Sequence, residues 1–167
     1  FAIITPALIT GAFAERIKFA AYAAFVAIWS TIVYDPLAHW VWGGGWLGAL
    51  KALDFAGGTV VHISSGTGAL AAAMVLGRRM GWPREAMLPN NLTLTVLGVF
   101  ILWFGWFGFN PGSTFAATEL RISVIAANTL LAGAAGAVAA MLVTWLKFGK
   151  PDVGMTGNGA IAGLVAI

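Results

Sequence analysis

Long uncharged apolar runs, separated by short segments that hold the charges, set the pattern of the chain. Positions 19–34, 55–77, 86–118 and 122–146 contain no Asp, Glu, Lys or Arg. Each comes near the roughly 17 to 25 apolar residues that a helix needs to cross a hydrocarbon core. Lipid offers no partner to a backbone N–H or C=O, so the crossing element has to be a helix. Two further apolar runs, 1–14 and 153–167, are too short to span alone. They predict helices that continue past both ends of a truncated chain. The pattern therefore predicts an all-α, polytopic transmembrane helix bundle, with residues 1–167 forming one transmembrane domain.

Between the runs, 36–50 is also uncharged, but it is short and broken by Gly43-Gly44-Gly45. Its Trp40, Trp42 and Trp46 are of the type that favours the membrane interface, which predicts an extracellular, partly re-entrant aromatic loop and not a crossing. The segment 78–91, with Gly81, Pro83, Pro89 and Asn90-Asn91, predicts a loop that ends near the next helix start. Small residues inside the spans, Gly66-Thr67-Gly68-Ala69 and Gly133-Ala134-Ala135-Gly136, allow close helix approach in lipid.

Composition and charge agree with this picture. Apolar residues make up 60% of the chain and charged ones 9%, and the mean hydropathy is +0.90, well outside the soluble range. If each run crosses once, Arg16, Lys18, Arg78, Arg79, Arg84, Lys147 and Lys150 fall on one side, and only Lys51 and Arg121 on the other. The basic excess assigns the first side to the cytoplasm. The sequence pI near 9.7 then reflects topology; the basic residues form no stripe that would suit nucleic acid. There is no cysteine, which excludes disulfides and thiolate metal sites, and no signal-peptide pattern opens the chain.

Few groups inside the spans can carry chemistry. His62 is the clear one, and a titratable group within a membrane span is suspected of function by default. The alternative, a core imidazole bonded to a neighbouring hydroxyl or carbonyl, stays open. His39 lies among the tryptophans and reads as structural. Asp54 stands just before Phe55-Ala56-Gly57-Gly58, where a carboxylate can accept orphan helix N–H groups and also make a vestibule attractive to cations. Trp106, Phe109 and Ser113 are spaced by three and four, so a continuous helix would carry them on one face. Such a stripe is either packing or a surface whose rings attract a cation and whose hydroxyl accepts from it. Asn110-Pro111-Gly112 should end or kink that helix. No phosphate loop is present, Ser64 and Ser65 near His62 do not form a hydrolase arrangement, and two lone histidines make no metal site. Neither an enzyme nor a cofactor is expected.

The stretch Asp54-Phe55-Ala56-Gly57-Gly58-Thr59-Val60-Val61-His62-Ile63 resembles the signature of the ammonium transporter family (Amt/Mep/Rh). Further similar segments follow in family order: Phe1-Ala2, Gly11 to Arg16, Ala38 to Gly45, Gly105 to Asn110 and Gly159 to Leu164. Together they cover nearly the whole chain. The resemblance implies a piece running from the end of the third to the start of the eighth transmembrane helix of a larger bundle.

By that resemblance, Trp42, Ser113 and Phe1 belong to an outer cation-recruitment site, and Phe1 and Phe109 to a phenylalanine gate. His62 and Trp106 would line the pore, with Asp54 as electrostatic support. Trp42 with Ser113 favours the Amt/Mep branch. A second pore histidine would lie on a later helix, beyond Ile167. The implied function is ammonium/ammonia transport, with methylammonium as analogue, through a multi-pass protein of the cell membrane, the inner membrane in a Gram-negative bacterium. Desolvating bare ammonium costs more than an aromatic cage returns, so a proton has to leave or be relayed. The resemblance further implies a homotrimer in the lipid bilayer and a PII-type signalling protein on the cytoplasmic face. The other implied function is an ammonium-sensing receptor of the same fold, attached to a signalling module.

Overall fold

A computed structural model describes all residues 1–167, which form helices and turns with no strand. Helices that are long and apolar enough to cross a bilayer number four: Phe19–Ala49, Gly58–Leu76, Leu92–Thr114 and Leu120–Phe148. The chain divides into two compact units, Phe1–Met87 and Leu88–Ile167.

In the first unit, α1 (Ile4–Ala7) and a 3₁₀ turn (Thr10–Phe13) make a short apolar segment ahead of α2 (Phe19–Trp29). The expected crossing 19–34, followed by an aromatic loop over 36–50, needs correction. α2 passes through a π-helical turn (Ser30–Tyr34) straight into α3 (Asp35–Trp42), and α4 (Trp46–Ala49) follows after three glycines. The reason lies at Pro36, which has no N–H to give and whose ring would crowd the preceding turn of an α-helix. A π turn is one residue wider, and here the Asp35 N–H reaches back to Ser30 O. Helix therefore continues through the proline to Trp42. The reversal at Gly43–Gly45 is tight, since a Cβ at Gly45 would stand 2.5 Å from Trp40 Cα.

The next helix starts at Gly58 as a π turn (Gly58–Ile63) and continues as α5 (Ser64–Leu76). Ile9, Phe13, Trp29, Tyr34, Val41 and Val60 form the buried core of this unit. Gly68 admits the Ile9 and Trp29 side chains, for a Cβ there would meet them at 3.0 and 3.2 Å.

Polar bonds tie this unit together where its loops meet. Arg79 Nη2 and Nε donate to the two carboxylate oxygens of Glu15, at 2.5 and 3.2 Å. The Arg16 guanidinium donates to Ala12 O at 2.6 Å and to Gly77 O across the unit. The two loops that the charge distribution assigns to the cytoplasm, around Glu15 and around Arg78, are thus joined. The hydrogen bond from Arg79 holds the Glu15 carboxyl below its ordinary value of 4.5. A depressed carboxyl contributes above its unfolded pKa and loses that contribution as pH falls through the lowered one, so the pair stands at neutral pH.

In the second unit α6 (Leu92–Phe109) starts at Asn91, whose Oδ1 accepts the Leu94 N–H at 2.9 Å. A 3₁₀ turn (Pro111–Thr114) ends it, and α7 (Leu120–Phe148) and α8 (Val153–Val165) follow. Asp152 caps α8, accepting from Met155 N at 2.7 Å. α7 and α8 touch backbone to backbone: a Cβ at Gly136 would lie 2.2 Å from Gly159 O, and one at Gly163 would lie 2.1 Å from Ala132 O. In lipid, where water drives no helix together, this close approach is itself the source of attraction.

Gly163→Ala should therefore destabilise the full-length protein by about 1–3 kcal/mol, read as a lower Tm in detergent. Gly105→Ala, whose Cβ would meet nothing within 4 Å, should leave Tm unchanged.

Candidate functional site

In the first unit the candidate site grows from Asp54, which lies in the irregular stretch between α4 and the next helix. Helices begin with unpaired N–H groups, and here one carboxylate takes three of them. Asp54 Oδ1 accepts from Gly57 N at 2.6 Å, and Oδ2 accepts from Thr59 N and Val60 N, both at 2.9 Å. Gly57 makes the loop possible: its φ is +102°, and a Cβ there would stand 2.7 Å from Val61 Cγ2. Only glycine takes such a conformation without strain.

His62 lies on the turn that this anchor starts. Gly57 O accepts from both Val61 N (2.9 Å) and His62 N (3.1 Å), which widens the first turn to π geometry. Hydroxyls serve the carbonyls that the wide turn leaves over. Ser64 Oγ donates to Val60 O and Val61 O, and Ser65 Oγ donates to His62 O at 3.3 Å. Val60 and Val61 beside the histidine are fully buried, and His62 itself is half-buried. π turns inside α-helices occur frequently at functional sites.

Asp54 also receives an aromatic ring. Trp42 Nε1 donates to Asp54 O at 2.8 Å, and the Phe1 ring lies against Trp42 with centroids 5.6 Å apart and planes inclined by 35°. Phe1 and Trp42 are each about 40% exposed. The first unit therefore brings together Phe1, Trp42 and Asp54, and sets His62 on the helix that Asp54 starts. His39 is exposed, and its carbonyl accepts from Gly43 N and Gly45 N in the glycine turn.

In the second unit Trp106 is 2% exposed, and its ring stacks on Phe109 at 5.2 Å with a 24° inclination. The three residues Trp106, Phe109 and Ser113 do not share one continuous helix. α6 ends at Phe109, because Pro111 has no N–H with which to extend the ladder, and Ser113 sits on the 3₁₀ turn that follows. Ser113 Oγ donates to Phe109 O, which leaves the hydroxyl oxygen able to accept. Two features were missed at the level of sequence. The Trp42 bond to a backbone carbonyl leaves no trace in residue spacing. The buried Asn110 amide had a signal, a polar side chain amid apolar residues, but it read only as a helix end.

The Ammonium Transporter Family model matches residues 1–167. The ammonium transporter Amt2 of Archaeoglobus fulgidus is 54% identical over all of the chain and 39% of its own length. The ammonium transporter of Bacillus subtilis is 52% identical over all of the chain and 41% of its own length. Among solved structures, Candida albicans Mep2 superposes with a TM-score of 0.90 at 43% identity, over 99% of the chain and 38% of Mep2. A protein described as a sensor Amt protein superposes with a TM-score of 0.91 at 37% identity, over 99% of the chain and 44% of that protein. The chain thus spans about two fifths of the length of the relatives it matches. With its four apolar helices, it is part of a multi-pass membrane protein.

At Gly57 the geometry gives a direct test. Gly57→Ala forces a Cβ into the left-handed region and against Val61, and should lower stability by about 1–3 kcal/mol. Gly58→Ala, where nothing lies within 4 Å, should cost far less in the same thermal melt.

Proposed function

The chain belongs to the Ammonium Transporter Family, and on that premise we propose that the full-length protein carries ammonium or ammonia across a membrane. The observation that supports this best is the shared foundation on Asp54, which anchors the Trp42 ring and starts the His62 helix. A cation arriving at the membrane surface meets the faces of Phe1 and Trp42, which attract it through their ring quadrupoles. The family resemblance assigns Ser113, whose hydroxyl oxygen can accept, to the same recruitment site, and Phe1 and Phe109 to the gate. The same resemblance assigns Trp106 and His62 to an apolar pore, whose surroundings would strip water from the ion, and an unpaired charge there is too costly to hold. The proton is therefore lost or relayed, with the His62 imidazole as its acceptor or carrier.

Potassium has no proton to lose, so the same passage rejects it. The reading extends to a homotrimer in the cell membrane and to control by a PII-type protein on the cytoplasmic face. A second reading, an ammonium-sensing receptor, is favoured by the likeness to a sensor Amt protein.

Uptake of labelled methylammonium by cells carrying the full-length gene tests the proposal. The parent should take it up saturably, and His62→Ala should slow it by tenfold or more, about 1.4 kcal/mol at the barrier. Trp42→Leu should raise the half-saturation concentration by roughly 5- to 30-fold, as a loss of about 1–2 kcal/mol of cation–π attraction requires. Absence of uptake by a well-expressed parent would favour the sensor. Potassium currents comparable with ammonium currents would contradict the deprotonation step.

A further inference from the structure

Of the polar side chains in the second unit, Asn110 is the one that binds three helices at a single point, and it lies directly after Phe109. It is 3% exposed. A buried amide without partners costs about 1–3 kcal/mol, and its partners here are specific. Asn110 Nδ2 donates to Leu164 O at 3.1 Å and to Thr129 Oγ1 at 3.3 Å. Leu164 lies on α8 and Thr129 on α7, and both are fully buried. A carbonyl can only accept, so the amide nitrogen has to face Leu164, and the orientation of the side chain is fixed by chemistry.

We infer that Asn110 is a positioning residue, whose amide holds the Trp106–Phe109 stack and the Ser113 turn in a single orientation by tethering the end of α6 to α7 and α8. The backbone cannot do this by itself. The α6 ladder finishes with Asn110 N donating to Trp106 O at 2.9 Å, and Pro111 contributes no N–H beyond it. The chain then turns through Ser113 N donating to Asn110 O at 3.2 Å, Ser113 Oγ donating to Phe109 O, and a left-handed Phe115 at φ +51°. Phe109, Asn110 and Ser113 are thus one hydrogen-bonded knot, and the Asn110 amide ties it to α7 through Thr129 and to α8 through Leu164. Apolar and glycine contacts hold α7 and α8 together along their length, and the two directional hydrogen bonds of the amide fix the end of α6 against both.

The functional consequence rests on the proposed transport: Ser113 and Phe109 lie next to the tether, so loosening it should weaken recruitment of the cation more than it slows passage. The test uses the full-length protein with Asn110→Ala, Asn110→Asp and Thr129→Val. Asn110→Asp keeps shape but has no N–H to donate: toward Thr129 the bond has to reverse, with the hydroxyl donating to the carboxylate, and toward Leu164 O an oxygen faces an oxygen. Thr129→Val removes one acceptor and leaves the Leu164 bond, so it is the variant to rely on if Asn110→Ala fails to fold. One readout is the ¹⁹F resonance of 5-fluorotryptophan at position 106, assigned by its loss in Trp106→Phe. The other is methylammonium uptake, separated into half-saturation concentration and maximal rate per amount of membrane-inserted protein.

The expected result is a displaced or broadened Trp106 resonance in both Asn110 variants and a smaller change in Thr129→Val. Half-saturation should rise about fivefold for Asn110→Ala, with the maximal rate within about twofold of the parent. An unchanged resonance in all three variants would overturn the inference, as would uptake that falls only in step with protein amount. If the parent takes up no methylammonium, the transport reading fails by itself, and the Trp106 resonance alone decides for or against the tether.

Discussion

A helix that begins inside a membrane protein needs acceptors for its first N–H groups, and in this chain one carboxylate supplies them. Asp54 takes the N–H groups of Gly57, Thr59 and Val60, a charge-assisted set stronger than neutral hydrogen bonds. Its own backbone carbonyl takes the Trp42 indole, against which Phe1 rests. The left-handed Gly57, the wide turn that carries His62 and the hydroxyls of Ser64 and Ser65 are all consequences of starting the helix in this way. The aromatic surface and the histidine thus owe their placement to the same residue.

Elsewhere too, polar groups in the spans serve geometry. Ser, Thr and Asn side chains satisfy carbonyls where the helical ladder is widened or stopped, at the π turn of Gly58–Ile63 and after α6. Close backbone contact between small residues does the rest, as between Gly136, Gly159 and Gly163. These are the means left to a bundle in lipid, where burial of apolar surface no longer distinguishes a helix neighbour from an acyl chain.

Much of this could be read along the chain. The uncharged runs mark the helices because a charge inside hydrocarbon is costly, and the all-helical fold follows from them. The position of Asp54 ahead of a glycine pair announced a helix start, and Asn110-Pro111 announced a helix end. What stayed hidden depends on context. Pro36 and three glycines look like a loop to any local rule, yet a π turn carries helix through the proline to Trp42. The stack of Trp106 on Phe109 was legible in their spacing, whereas the separation of Ser113 onto its own turn was decided by a missing N–H. The contacts of Arg16 with Gly77 and of Asn110 with Leu164 join residues 61 and 54 positions apart, a range at which one sequence holds no signal.

If Asp54 is the anchor, removing its carboxylate has to loosen the head of the His62 helix before anything else. Amide hydrogen exchange, measured by mass spectrometry on peptides covering 54–65 of the full-length protein in nanodiscs, reads this directly for parent and Asp54→Ala. Faster exchange confined to the first turn, together with loss of methylammonium uptake by the same variant, is the expected result. Parental exchange and parental uptake in Asp54→Ala would contradict the anchor, and with it the common origin of the aromatic surface and the histidine.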